Sequence, residues 1–412
     1  FAQHATTAPK VFIVCVVNST TSNTRFRLIP MRPRDPEEQG RSASPLELFF
    51  DLVIVIAVAT AAVELHHALT ENHIVDGLLS YMLVFFAIWW AWMNFTWFAT
   101  SFDTDDWLYR VLTVVQMAGV LVLAAGIGPA FTDSNFVIVV VGYVVMRFAM
   151  VTQWLRASRS PEHKKTALTY AAGIAGVQVL WLLWLLIPEG PAQILGFVVL
   201  ALVELSVPVI AERKGTTPWH AHHITERYGL FTIILLGESL LASANVIIEA
   251  LRGDTALLPL ITLAVLALVV TAGLWWIYFW PPHHAAISDL GSSLKYGYAH
   301  YFIFAAAGAF SAGVEVEIDV LTDHSQLGDL AASFTVTVPI AIFVLGVWYI
   351  AIKDNADRVV NTVVPVGAVL VLLDPLIPIP FALTAIVITL IVVVLVVRQP
   401  TTDAHAAATQ PG

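Results

Sequence analysis

One carboxylate interrupts an otherwise apolar helical run at Leu236-Gly237-Glu238-Ser239, and an acidic pair opens another at Glu47 and Asp51. A carboxyl group among apolar side chains costs several kcal/mol unless it is protonated, paired or facing water. Such a group therefore titrates, binds a cation or makes a tight ion pair. Glu238 lies twelve residues beyond Glu226, roughly 18 Å along a helix at about 1.5 Å per residue. Ser239 beside it can donate a hydrogen bond, and Gly237 permits close helix approach. The alternative for Glu238 is a permanently protonated carboxyl in an interhelical hydrogen bond.

Glu47 and Asp51, four residues apart, share one helix face. Glu47 reads as an N-terminal helix cap, where an acidic group meets the positive end of the helix dipole. Asp51 is a full turn deeper and is a candidate for binding a cation or relaying a proton, with Arg110 or Arg227 as ion-pair partner. Asn94, Arg147 and His300 are further polar groups inside apolar runs. Arg147 requires an acid, and Glu204 or Glu238 can serve. His300 would titrate near neutral pH where water reaches it. Glu226 and Arg227 read as helix-end groups, Arg227 as an interfacial anchor or counter-ion. His222 and Glu226 have the i, i+4 spacing of metal ligands, but a histidine-rich stretch of this kind reads as interfacial. The tryptophans from Trp89 to Trp97 can line a substrate cavity or form an interfacial belt.

The elements that must position these groups follow from composition. Of 412 residues 58% are hydrophobic and 12% charged, and mean hydropathy is +0.79. Apolar runs long enough to cross a bilayer recur along the chain, which predicts an all-α integral membrane protein. Twelve spans can be drawn: 46–67, 75–98, 107–131, 136–156, 166–188, 191–211, 226–248, 257–280, 294–316, 331–352, 359–376 and 379–398. With the N-terminus inside, all but two of the 20 Lys and Arg residues fall to the inner side or inner helix ends. The exceptions are Arg252 outside and Arg147 within a span. This asymmetry predicts cytoplasmic termini in a bacterial inner membrane. Glu47 and Glu226, Trp89-Trp90 and Trp275-Trp276, and Leu186-Ile187-Pro188 and Leu376-Ile377-Pro378 recur in the same order. They predict a 6+6 parallel duplication. Its parts are a cytoplasmic tail 1–45, a first repeat 46–212, a linker 213–225, a second repeat 226–398 and a tail 399–412. Residues 1–30 read as a translated upstream region or a disordered tail. The lone Cys15 excludes a disulfide framework, and no cofactor, metal or nucleic-acid motif appears.

Ser44-Pro45-Leu46-Glu47-Leu48-Phe49-Phe50-Asp51, with Glu226-Arg227-Tyr228-Gly229 and Leu236-Gly237-Glu238-Ser239, resembles the bacterial low temperature requirement protein A (LtrA) family across about residues 46–398. Trp89 to Asn94 and Asp106 to Arg110 are similar to it as well. The resemblance implies a polytopic membrane protein connected with growth in the cold, and names no reaction. Phe49-Phe50-Asp51 is also similar to the Phe-Ser-Asp motif of lysosomal and bacterial potassium channels, without its serine and without an equivalent triplet in the second half. The function expected is transport of a small solute or ion, with a buried carboxylate coupling protons, and no enzymatic activity. The path would use Glu238, Asp51, Ser239, Asn94, Arg147 and His300. Alternatives are a cation channel lined by the first and seventh spans, or a membrane stress factor or lipid-interacting enzyme. Expected partners are the bilayer, a small solute, ion or proton, and a second copy in a homo-oligomer.

Overall fold

The computed structural model describes residues 28–252, 257–377, 379 and 381–400. Among these residues there are helices and turns and no strand. The helices are α1 (Pro45–Thr70), α2 (Ile74–Phe102), α3 (Trp107–Ala125), α4 (Ile127–Thr132), α5 (Val137–Ala157), α6 (Lys164–Trp184) and α7 (Pro191–Glu212). They continue with α8 (Ala221–Arg252), α9 (Leu257–Phe279), α10 (Leu290–Leu321), α11 (Asp329–Val347), α12 (Val360–Val371) and α13 (Ala382–Val397).

Among the described residues, ten helices are long and apolar enough to cross a membrane, while Val360–Val371 and Ala382–Val397 are shorter apolar helices. The eleventh expected span, 359–376, thus ends early. Pro365 lies within α12, and a 3-10 turn follows at Asp374–Leu376. Asp374 accepts hydrogen bonds from the Leu383 N–H at 3.0 Å and the Thr384 hydroxyl at 2.6 Å, and so anchors the start of α13. Pro378 and Pro380 of the predicted break lie outside the described residues, as do residues 1–27 and 401–412 and the side chain of Arg252.

Two boundaries move in ways that matter. The third expected span, 107–131, splits at Gly126 into α3 and α4. A Cβ at Gly126 would stand 2.6 Å from the Val139 backbone nitrogen, and one at Gly142 would stand 2.3 Å from that of Leu123. Glycines let α3 and α5 pack backbone against backbone, as small residues do in membrane helix pairs. Helix α8 starts at Ala221, five residues before the expected 226, so the linker is shorter and both His222 and His223 are helical.

One end of the bundle collects the start of α1, the α2–α3 turn, the end of α5 and the α7–α8 loop, joined by Arg34–Asp103 and Arg156–Asp106 ion pairs. We call it the basic end. Residues 28–44 strap across it: the Arg34 N–H donates to the Ser101 carbonyl at 2.9 Å, and the Arg41 guanidinium donates to the Ala99 carbonyl at 3.1 Å.

Within the first half, α1 packs on α2 and α3, α3 on α5, α5 on α6, and α6 on α7. Within the second, α8 packs on α9 and α10, α10 on α11, α11 on α12, and α12 on α13. Across the seam, α1 and α2 meet α8 and α10. One asymmetry is that α9 also packs on α13. The tryptophan pairs differ too: Trp89 and Trp90 are buried, whereas Trp275 and Trp276 are exposed.

Candidate functional site

The first turn of α1 is built by a capping box. Ser44 Oγ accepts from the Glu47 N–H at 3.3 Å, and Glu47 Oε2 accepts from the Ser44 N–H at 2.7 Å. This fixes Glu47 at the helix start and turns Asp51 onto the same face, toward α8.

There α8 presents a matching basic pair, His223 and Arg227, also four residues apart. Arg227 donates through Nη2 to Asp51 Oδ1 at 2.6 Å and through Nε to Asp51 Oδ2 at 3.1 Å. Its third nitrogen, Nη1, reaches Glu47 Oε1 at 2.8 Å. His223 Nε2 lies 3.3 Å from Glu47 Oε2, and the Trp92 indole N–H of α2 donates to Asp51 Oδ1 at 2.7 Å. Arg227, Asp51 and His223 have no exposed surface, and Glu47 is 1% exposed. Two acids face one guanidinium, so the proton on His223 decides whether the four side chains balance. Bidentate pairing suits the planar guanidinium and positions it rigidly.

Arg110, offered as a partner for Asp51, is instead exposed and pairs with Asp105 at 2.7 Å. The reason is its place in the first turn of α3, where its side chain is in solvent beside Asp105 of the preceding turn. Glu47 is both cap and ion-pair partner. Glu226, next to Arg227, is half-buried and is not among the side chains paired in the cluster.

The remaining predicted path residues do not gather with this cluster. Arg147 pairs with Glu204 at 3.0 Å between α5 and α7, with the Tyr143 hydroxyl hydrogen-bonded to both. His300 is fully buried, and its ring joins the Tyr296 carbonyl through Nδ1 at 2.8 Å and the Tyr278 hydroxyl through Nε2 at 2.9 Å. Both nitrogens are thus occupied inside the protein. Ser239 is buried, and its Oγ has no partner among the described residues. Glu238 is half-buried, with no hydrogen bond or ion pair to it among the described residues. Although α8 starts earlier than expected, Glu238, seventeen residues in and about 26 Å along the helix, lies next to the helix centre.

Asn94 has a different neighbourhood. Its side-chain amide donates to the Trp90 carbonyl at 2.7 Å, and it lines a chamber of about 50 Å³ with Trp90, Trp97, Trp154, Tyr170, Trp219 and Glu212. The tryptophans of α2 thus divide by helix face. Trp90 and Trp97 line the chamber, and Trp92 turns to Asp51. Next to the chamber a wide cleft of about 1390 Å³ opens at the basic end, and Thr217, Trp219 and Leu290 line both. Sequence reasoning missed Glu212, which falls at the end of a span and reads there as an ordinary polar helix terminus. It also missed His223 as a partner of Glu47; the i, i+4 spacing of His223 and Arg227 was the available signal.

Two groups of the α2–α3 turn and the α9–α10 loop have displaced titration. Burial, helped by the negative charge of Glu47, raises the Asp103 carboxyl from 3.8 to about 6. Burial likewise lowers the His283 imidazole from 6.5 to about 4. His283 is held neutral between the Tyr278 carbonyl and the Tyr296 hydroxyl.

No solved structure matches the chain. Uncharacterized protein RA0937 of Rhizobium meliloti (strain 1021) is 26% identical over 256 residues, 60% of this chain and 60% of its own length. The chain thus spans about 60% of the length of this curated relative. The sequence profile of the bacterial low temperature requirement A protein (LtrA) matches residues 42–397, which takes in the capping box, the ion cluster and the chamber, whereas the stretch of the cleft wall from Pro33 to Arg41 precedes it. A match over most of the chain, including every helix described above, means that this polytopic helical membrane protein belongs to the LtrA family.

Proposed function

We propose that the protein is a transporter of a small solute or ion, built from two six-helix repeats in a bacterial inner membrane with both termini in the cytoplasm. The observation that carries the reading is the dry Asp51–Arg227–Glu47 cluster. It ties the first helix of one half to the first helix of the other, beside a cleft leading to a small chamber. A carrier needs a bistable seam between its halves, with a site near it. A buried ion pair is a suitable latch, because separating its charges without water costs several kcal/mol.

The order of helix contacts supports the duplication, since each half runs through the same sequence of neighbours. On this reading α12 and α13 complete the twelve spans despite their shortness, and the basic end faces the cytoplasm by the positive-inside rule. Glu238, with no ion-pair partner, supplies the protonation step.

The test is flux in vesicles reconstituted with purified protein. Saturable uptake from a panel of small cations and neutral solutes is expected, strongly reduced in Asp51→Asn. Flux no greater than in protein-free vesicles for the whole panel rejects the proposal. Non-saturating, voltage-following currents would replace it with a channel.

A further inference from the structure

Glu212 ends α7 with its carboxylate inside the protein. The group is 7% exposed. It accepts from the Tyr170 hydroxyl at 2.8 Å, the Thr217 N–H at 2.8 Å and the Thr217 hydroxyl at 2.9 Å. All three donors are neutral, and among the described residues no Lys or Arg pairs with it; His163 is near enough for its charge to act on the carboxylate, but makes no hydrogen bond or ion pair to it. Buried carboxylates are ordinarily matched by a cation. Here the carboxylate lines the aromatic chamber instead.

The chamber walls supply what a cation without strong hydration requires. Trp154 stacks on Tyr170 with ring centroids 4.0 Å apart, and Trp97 meets Trp219 edge to face at 6.0 Å. Trp90 also lines the chamber. Ring faces carry partial negative charge and attract ammonium groups within about 6 Å, most strongly when water is excluded. A second sign of a missing ligand is Ser293, which also lines the chamber. It is 2% exposed, and its hydroxyl has no partner among the described residues.

We infer that this chamber is a binding site for a small organic cation of the alkylammonium class, with Glu212 as counter-charge and the tryptophans as a cage. A volume of about 50 Å³ exceeds the ~10–15 Å³ that one water needs and suits a compact ammonium head. Anions are repelled by Glu212. Calcium and magnesium ions demand six or more oxygen ligands, and a wall of rings with the Glu212 carboxylate and the side-chain oxygens of Asn94, Thr217 and Ser293 does not provide them. The approach is also selective. Although the cleft opens at the basic end, its own lining carries Asp35, Glu37, Glu38, Glu162 and Asp289 against Arg34 and Arg41, with His163, His220 and His222, so the walls along the approach offer carboxylates to a cation. That the bound cation is cargo rests on the transport reading; its binding does not.

The experiment titrates purified, detergent-solubilised protein with tetramethylammonium chloride and follows tryptophan fluorescence and calorimetric heat. Sodium chloride at equal ionic strength and tert-butanol, a neutral molecule of similar shape, are the controls. Saturable binding of tetramethylammonium alone is expected, at least tenfold weaker in Glu212→Gln and several-fold weaker in Trp97→Leu, with thermal unfolding confirming that both variants fold. Absence of saturable binding to the unmodified protein overturns the inference, and so does an equal response to tert-butanol. These outcomes need no variant to fold. Binding without flux in vesicles would keep the site and remove the transport reading, whereas flux of another solute without tetramethylammonium binding would do the reverse.

Discussion

Asp51 and Arg227 occupy the same position in two different helices. Asp51 is the seventh residue of α1, which starts at Pro45, and Arg227 is the seventh of α8, which starts at Ala221. The same offset of 176 residues relates Glu47 to His223. An acidic i, i+4 pair in one half therefore meets a basic i, i+4 pair at the equivalent place in the other. Aligning Glu47 with Glu226 instead sets Leu230 opposite Asp51 and hides this relation.

Removing one member of the cluster strands the others in a dry interior. Arg227→Met leaves two buried carboxylates without a cation and is expected to cost about 3–5 kcal/mol. Asp51→Asn retains Glu47 as a partner for Arg227 and costs less. Thermal unfolding in detergent ranks the two, and equal losses would mean that the charges are not coupled.

Trp92→Phe tests the neutral arm of the same site. The substitution keeps the ring's packing against Phe231, whose centroid is 4.5 Å away, but removes the N–H that holds Asp51. A hydrogen bond to a charged group contributes about 1.5–3 kcal/mol. The loss should vanish when Asp51 is already Asn, which a double-mutant cycle measures.

Gly142→Ala forces a methyl group to within 2.3 Å of the Leu123 backbone. Overpacking of this kind costs about 1–3 kcal/mol. Gly176→Ala, which meets open space within 4 Å, should be neutral or slightly stabilising, because alanine suits a helix better than glycine. Paired melting curves of the two variants separate packing from helix propensity.

Two displaced titrations act in opposite directions. The raised Asp103 pKa means that the folded state holds its proton more tightly, so stability falls as pH rises from 3.8 to about 6. The lowered His283 pKa means that stability falls as pH drops from 6.5 toward 4. At about 1.4 kcal/mol per unit each is bounded near 3 kcal/mol, and in the wild type they largely offset. Asp103→Asn should steepen the loss of stability below pH 6, and His283→Gln should flatten or invert it. Unfolding midpoints between pH 4 and 7 that are parallel in all three proteins would contradict both assignments.

Glu238→Gln should change stability by less than about 1 kcal/mol, because no ion pair is lost. Its effect is expected in the pH dependence of flux, which should disappear. A large loss of stability with unchanged pH dependence would make Glu238 a structural group.

The sequence by itself determined the membrane class, the approximate helices and the helix-end role of Glu47, because hydropathy and capping are properties of neighbours along the chain. It also singled out Asp51, Arg227 and Arg147 as groups that need partners, because an ionised side chain in an apolar run carries its cost wherever the helix goes. Only the tertiary structure decided which partners they have. Arg227 rather than Arg110 meets Asp51, and Glu204 rather than Glu238 meets Arg147, because these pairings depend on how each helix is rotated and where it starts. The five extra residues at the start of α8 are enough to bring His223 to Glu47, while Glu238 stays next to the middle of its helix. The chamber at Glu212 is assembled from α2, α5, α6, α7, α10 and the loop before α8. No single stretch of sequence contains enough of it to be read.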